Sequence, residues 1–139
     1  MIVHTLKVYG AILPIFLAID FLWLGVVMSK FYKNELGVLA RISNGALTPV
    51  LWAAAIVYIL IPLGVVLFAL PRVSQEHLAS SALFWGFIYG IVLYGVYDMT
   101  NYSLVSKWSL RMSIVDILWG GAINSVVTYA AAVLDRWFA

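Results

Sequence analysis

Asp20, Asp98 and Asp116 are the residues of this sequence best placed to do chemistry. They make up half of the six acidic side chains, and each stands inside a long apolar run. A carboxylate in the middle of a membrane costs roughly 2.5 to 3.5 kcal/mol even on the lenient insertion scale, so it ordinarily faces other helices and has a partner or a task. Burial and shared negative charge both favour the neutral acid, so a cluster of this kind could exchange protons near neutral pH. Aromatic side chains beside it could cradle an organic cation. On this reading Asp20, Asp98 and Asp116 are the ion sites, with Trp23, Trp119 and Tyr94 as walls.

Two other chemistries fit the same residues. Two carboxyl groups could act as acid and base on a lipid, or three carboxylates with Asn101 could hold Mg²⁺ or another hard cation. In that case Lys107 and Arg111 would grip a lipid phosphate. No cofactor is otherwise evident. The absence of cysteine excludes disulfides, thiolate metal sites and a cysteine nucleophile. His4 and His77 are solitary and lie near the opposite membrane edge, which excludes a His-based diiron or zinc centre. A plain packing role competes with all of these: the aspartates would accept hydrogen bonds from Trp23, Trp119, Tyr94, Thr100 or Asn101, and the chain would be an accessory subunit. Polar contacts between membrane helices average only about 0.6 kcal/mol, a small return for three carboxylates.

Helical spacing dictates how these side chains are carried. Gly90, Tyr94, Asp98 and Asn101 follow one another at steps of four, four and three, which puts a hydroxyl, a carboxylate and an amide on one face. Asp116, Trp119, Gly120, Ile123 and Asn124 form a second stripe, and Asp20, Trp23 and Val27 a third. Asp20-Phe21-Leu22-Trp23-Leu24-Gly25 and Asp116-Ile117-Leu118-Trp119-Gly120-Gly121 share the pattern Asp-x-Leu-Trp-x-Gly. An inverted repeat of the transporter kind would put the two copies in opposite halves of the bilayer. At a rise of 1.5 Å per residue, however, Asp20 lies about 15 Å from Lys30, Asp98 about 14 Å from Lys107 and Asp116 about 8 Å from Arg111. All three lean toward one membrane edge, so duplicated local chemistry describes the pattern better.

Composition says what carries these stripes. With 10% charged and 65% hydrophobic residues and a mean hydropathy of +1.04, the chain has more apolar surface than one compact core buries, and the surplus must face lipid. The eight basic residues are scattered singly between apolar runs and read as membrane-edge charges, not as a nucleic-acid surface. A bilayer core about 30 Å thick takes about 20 apolar residues per helix. Four stretches reach that length, roughly 7–28, 47–70, 78–102 and 112–134, and predict an all-α bundle of four transmembrane helices in a single domain, 1–139. The first run is too long for a signal-peptide core and lacks a small-x-small cleavage site. Pro14 and Pro62 predict kinks in spans one and two. Gly86 and Gly90 form a GxxxG, and Gly121 with Ser125 a small-xxx-small pair, for close helix approach within the bundle or between protomers of a homo-oligomer.

Five basic residues, Lys30, Lys33, Arg41, Lys107 and Arg111, flank loops one and three, against Lys7, Arg72 and Arg136 on the other side. The positive-inside rule places loops one and three in the cytoplasm and both termini outside. Loop one, Ser29 to Ala46, mixes aromatic and basic residues in a way that suits a short interfacial helix or an aromatic-anchored loop. Glu35, Glu76 and Asp135 read as solvated charges, and Trp52, Trp85, Trp108 and Trp137 as interface or packing residues.

The pattern Asp20-x-x-Trp23-Leu24-Gly25, then Phe31-Tyr32 with Leu36-Gly37, then Tyr97-Asp98-x-Thr100-Asn101-x-x-Leu104 with Trp108, and finally Asp116-x-x-Trp119-Gly120 resembles a bacterial membrane family known as domain of unknown function 2177. The likeness spans nearly the whole chain, and its Tyr-Asp-x-Thr-Asn element is the most specific part. It implies a multi-pass protein of the bacterial cytoplasmic membrane and points to the same aspartates and tryptophans, but implies no activity. Span two departs most from the family, with Pro49-Val50-Leu51-Trp52 only approximating a Pro-Ala start, so its role stays open.

Overall fold

A computed structural model describes residues 1–139. It contains helices α1 (Ile2–Leu22), α2 (Ser29–Leu36), α3 (Leu51–Gly64), α4 (Leu78–Leu104) and α5 (Leu110–Phe138), with a minimal hairpin of β1 (Ile42–Ser43) and β2 (Ala46–Leu47) between α2 and α3. Wide π turns continue α1 over Trp23–Val27 and α3 over Val65–Ala69. The four helices long and apolar enough to cross a membrane are Ile2–Val27, Leu51–Arg72, Leu78–Leu104 and Leu110–Phe138. Each overlaps one of the four apolar stretches, with most ends a few residues further out, span three starting at the same residue and span one ending one residue earlier. The start of span two moves furthest inward, to Leu51, because the hairpin takes up residues 42–47. That hairpin turns on Asn44 and Gly45, both at positive φ (50° and 77°), as a two-residue primed turn requires.

Loop one is thus partly helical. α2 lies across the end of the bundle and is tied down by Lys33, which donates to the Gly45 carbonyl at 3.0 Å, and by Glu35, which receives Arg111 at 3.4 Å and the Ser109 hydroxyl. Glu35 is therefore a structural link and not a free solvated charge. Ser109 caps α5 by accepting from the Met112 amide, satisfying one of the unpaired donors of that helix start.

The core lies where α1, the end of α3 and α5 meet: Val8, Ile12, Phe16, Val65, Val66, Ile123, Val127 and Ala131 are buried. α1 contributes by steps of four, His4, Val8, Ile12, Phe16 and Asp20, so one stripe runs the length of the helix. α4 and α5 pack closest. A Cβ on Gly86 would overlap the Asn124 backbone and the Thr128 hydroxyl, one on Gly90 would overlap the Gly120 carbonyl, and one on Gly121 would overlap Phe87. Ser125 donates to the Leu83 carbonyl at 2.6 Å. All four small residues of the two packing motifs therefore serve the contact between α4 and α5 inside one chain. At Pro62 the helical ladder loses a donor. Tyr9 and Tyr89 donate to the neighbouring carbonyls of Ile59 and Ile61, each at 3.0 Å, and Gly64 leaves the room that the Tyr89 hydroxyl occupies.

Candidate functional site

The three aspartates converge at the end of the bundle covered by α2. Asp20, at the end of the buried stripe of α1, accepts from the Trp119 indole N–H at 2.9 Å through Oδ1 and from the Tyr58 hydroxyl at 2.8 Å through Oδ2. Tyr58 is the contribution of α3, the span that offered no site residue in the sequence. Asp116, near the start of α5, accepts through Oδ1 from the Tyr32 hydroxyl at 2.7 Å, and Tyr32 in turn accepts from the Trp23 indole N–H at 3.2 Å. The Trp23 and Trp119 rings lie face to face, 4.1 Å between centroids and 2° from parallel.

This arrangement explains the repeated Asp-x-Leu-Trp-x-Gly pattern. α1 and α5 are antiparallel, with His4 Nε2 and Asp135 Oδ1 meeting at 2.7 Å near one end and Asp20 meeting Trp119 near the other. Asp20 is sixteen residues beyond His4 and Trp119 sixteen before Asp135, so the two contacts keep one register, and that register sets Trp23 level with Asp116. Each copy's tryptophan serves the other copy's aspartate, directly in one case and through Tyr32 in the other. The pairing is a local two-fold about the stacked tryptophans, confined to one end of the bundle. The glycines of the two copies do not share it: Gly121 meets Phe87, whereas a Cβ at Gly25 would enter open space. Val27, expected on the stripe of Asp20 and Trp23, is 60% exposed, because the π turn from Trp23 adds a residue to that turn and rotates the residues beyond it.

Asp98 of α4 differs from the other two. It is 1% exposed, and neither carboxylate oxygen receives a hydrogen bond; the nearest donors, the Trp108 indole and the Ser113 hydroxyl, stand beside it but donate elsewhere. It faces Asp116, and the two line a cavity of about 170 Å³ with Tyr32, Leu36, Tyr97, Trp108 and Met112. Trp108 is a wall of this cavity as well as a packing residue: its indole N–H donates to the Ser113 hydroxyl at 3.0 Å, Ser113 donates to the Ser109 carbonyl at 3.0 Å, and its ring meets Tyr97 edge-on at 5.9 Å. Neither the His4–Asp135 contact nor the Arg111–Glu35 ion pair involves the three aspartates. Tyr32 lies outside the spans. Burial, with Asp116 beside it, pushes its hydroxyl pKa up, so it stays protonated and donates.

Of the residues singled out in the sequence, Asp20, Trp23, Asp116 and Trp119 form one bonded network, and Asp98 adjoins it through Asp116. Tyr94 lies among Asp20, Asp116, Tyr32 and Tyr58, with its ring filling the space over Gly120. Asn101 does not line the cavity and bonds no carboxylate; it sits beside Tyr97. No three His, Asp or Glu side chains are gathered where one metal ion would touch them all. A larger cavity, about 310 Å³, lies at the other end of the bundle against His4, Gln75 and Asp135. His4 is not solitary and Asp135 not freely solvated there, since each is the other's partner.

Fold and site together define a four-helix membrane protein with a carboxylate-lined cavity at one end. The chain belongs to a family of predicted membrane proteins, DUF2177, whose sequence profile matches residues 5–133. No curated protein and no solved structure matches it.

Proposed function

We propose that Asp98 and Asp116 form a site that binds a small cation in exchange for a proton, and that the chain binds or carries that cation in the membrane. The observation behind this reading is Asp98, fully buried with both oxygens lacking a donor and aimed at a second carboxylate across a cavity. Two carboxylates this close in an apolar setting do not both stay ionised. Asp116 already has the Tyr32 donor, so it is the better anion and Asp98 the proton holder, its hydrogen directed at Asp116. A cation entering the cavity supplies the positive charge the proton had supplied, and the proton leaves. The ionisable groups facing the pair are Tyr32 from α2, Asp20 from α1, and Tyr94 and Tyr97 from α4, with Tyr58 of α3 behind Asp20. None is basic, so nothing in the protein already neutralises the second charge.

Lipid chemistry is less well supported, because of the two basic side chains expected at a lipid phosphate Arg111 is engaged by Glu35 and by the Phe31 ring at 5.4 Å, which leaves Lys107 alone. An accessory-subunit role gains no support from the glycine motifs, which are spent inside the bundle. We take that end of the bundle, with the cavity, to face the cytoplasm across a bacterial inner membrane, a reading supported by the basic residues around α2 and residues 105–109.

The exchange is tested on the chain in lipid nanodiscs in weak buffer, with Na⁺, Mg²⁺ and small organic ammonium salts added in turn. The medium should acidify with at least one of them, and not when Asp98 is replaced by Asn. If no cation releases a proton from the unaltered protein, the reading is wrong.

A further inference from the structure

Resting on that reading, we infer that the cation is a small organic one bearing N–H donors, a protonated primary amine or a guanidinium group, and not a metal ion or a quaternary ammonium. Three features of the cavity point to this class. The first is its unmet hydrogen-bonding capacity. Both oxygens of Asp98 lack donors, and Asp116 has only its Oδ1 bonded. Carboxylate oxygens in an apolar pocket are satisfied by N–H groups carrying charge, which form the stronger hydrogen bonds. A quaternary ammonium has no N–H to give.

The second is the scarcity of oxygen. Mg²⁺ and Ca²⁺ take six or more oxygen ligands. The side chains that line the cavity offer only the two carboxylates and the Tyr32 and Tyr97 hydroxyls, and the remainder is Leu36, Trp108 and Met112, so a metal ion would have to bring most of its ligands in as water against apolar walls. That remainder suits carbon: the Trp108 ring, held in place through Ser113, can lie against a cation or its alkyl stem, and Met112 adapts its shape to whatever it touches.

The third is size. The cavity is about 170 Å³, and apolar cavities near 150 Å³ take a molecule as large as benzene. Guanidinium or a short alkylammonium fits within it, and a bare Na⁺ would leave most of the cavity empty.

Calorimetric titration of the chain in nanodiscs at fixed pH, with guanidinium, butylammonium, tetramethylammonium, Na⁺ and Mg²⁺ as probes, separates the possibilities. Guanidinium or butylammonium should bind at least about tenfold more tightly than tetramethylammonium or either metal ion, the factor that one charged hydrogen bond supplies. That preference should vanish in Asp98→Asn. If tetramethylammonium binds as well as the N–H cations, N–H donation is not what the cavity selects. If Na⁺ or Mg²⁺ binds most tightly and releases a proton, the exchange reading stands and the organic-cation assignment falls; if no probe binds or releases a proton, both fall. The ranking is measured on the unaltered protein, so it decides the matter even if the variant fails to fold.

Discussion

At the scale of single residues, the three aspartates solve the same problem in different ways. Asp20 has two donors, Asp116 one and Asp98 none. On the proposed reading that gradient divides the roles: Asp20, fully bonded, locks helices, and Asp98, unbonded, is left for the cation. Asp20→Ala strands the Trp119 and Tyr58 donors and should lower stability by about 1–3 kcal/mol, measured by unfolding in mixed micelles. Asp98→Asn leaves no donor stranded and gives Asp116 an N–H, so it should cost less than the roughly 1–3 kcal/mol of a stranded buried partner. Tyr32→Phe removes the donor to Asp116 and the acceptor of Trp23 together, and should cost about 1–3 kcal/mol by the same measurement. The aspartates and their tryptophans are legible in the sequence because charge is rare in apolar runs. Tyr58 does not stand out there, and Tyr32 does so only within the Phe31-Tyr32 element of the family pattern: the chain has eight tyrosines, that residue is common at membrane edges for unrelated reasons, and nothing in the spacing of one helix names its partner on another. Asn101 shares a helical face with Asp98 but is not among the residues that line the cavity, a difference that helical spacing alone does not show.

Among the elements, the contact between α4 and α5 sets the geometry of the site, because Asp98 and Asp116 sit on those two helices. Gly90→Ala would drive a methyl into the Gly120 carbonyl. It should destabilise the bundle by about 1–3 kcal/mol and weaken cation binding in parallel, as the carboxylates part. Gly95→Ala, where a methyl meets nothing, should leave both unchanged; equal effects from the two substitutions would mean the close approach is not what aligns the site. The spans themselves are readable from the length of the apolar runs, and the glycine pairs from their spacing. Whether the glycines join helices of one chain or of two depends on which faces meet, and this only the packed structure reveals. The hairpin at Asn44-Gly45 does have a local signal in that dipeptide, obscured by its position within a stretch that reads as interfacial. The π turn at Trp23 has none; there Trp23 stacks on Trp119 and donates to Tyr32, contacts that only the packed structure shows.

For the whole molecule, the duplicated Asp-x-Leu-Trp-x-Gly pattern becomes intelligible once α1 and α5 are set antiparallel in a common register. Each motif completes the other, which no reading of either copy alone would show. The arrangement also makes the molecule polar along its axis, with unmet carboxylates at the end under α2 and a satisfied His4–Asp135 pair at the other. Because the chain has no cysteine, single cysteines report orientation cleanly. One at Asn34 should resist a membrane-impermeant maleimide applied to intact cells, and one at Gln75 should react; the opposite pattern would turn the molecule over.

Whether Asp98 and Asp116 hold a proton that a cation displaces can be seen by infrared difference spectroscopy of the chain in lipid, recorded with and without guanidinium. A protonated-carboxyl band should disappear when the cation is added, a carboxylate band should grow in its place, and Asp98→Asn should abolish the change. A carboxyl spectrum that does not respond to guanidinium or to any other small cation would rule out the exchange, as would the same response persisting in the Asp98→Asn protein.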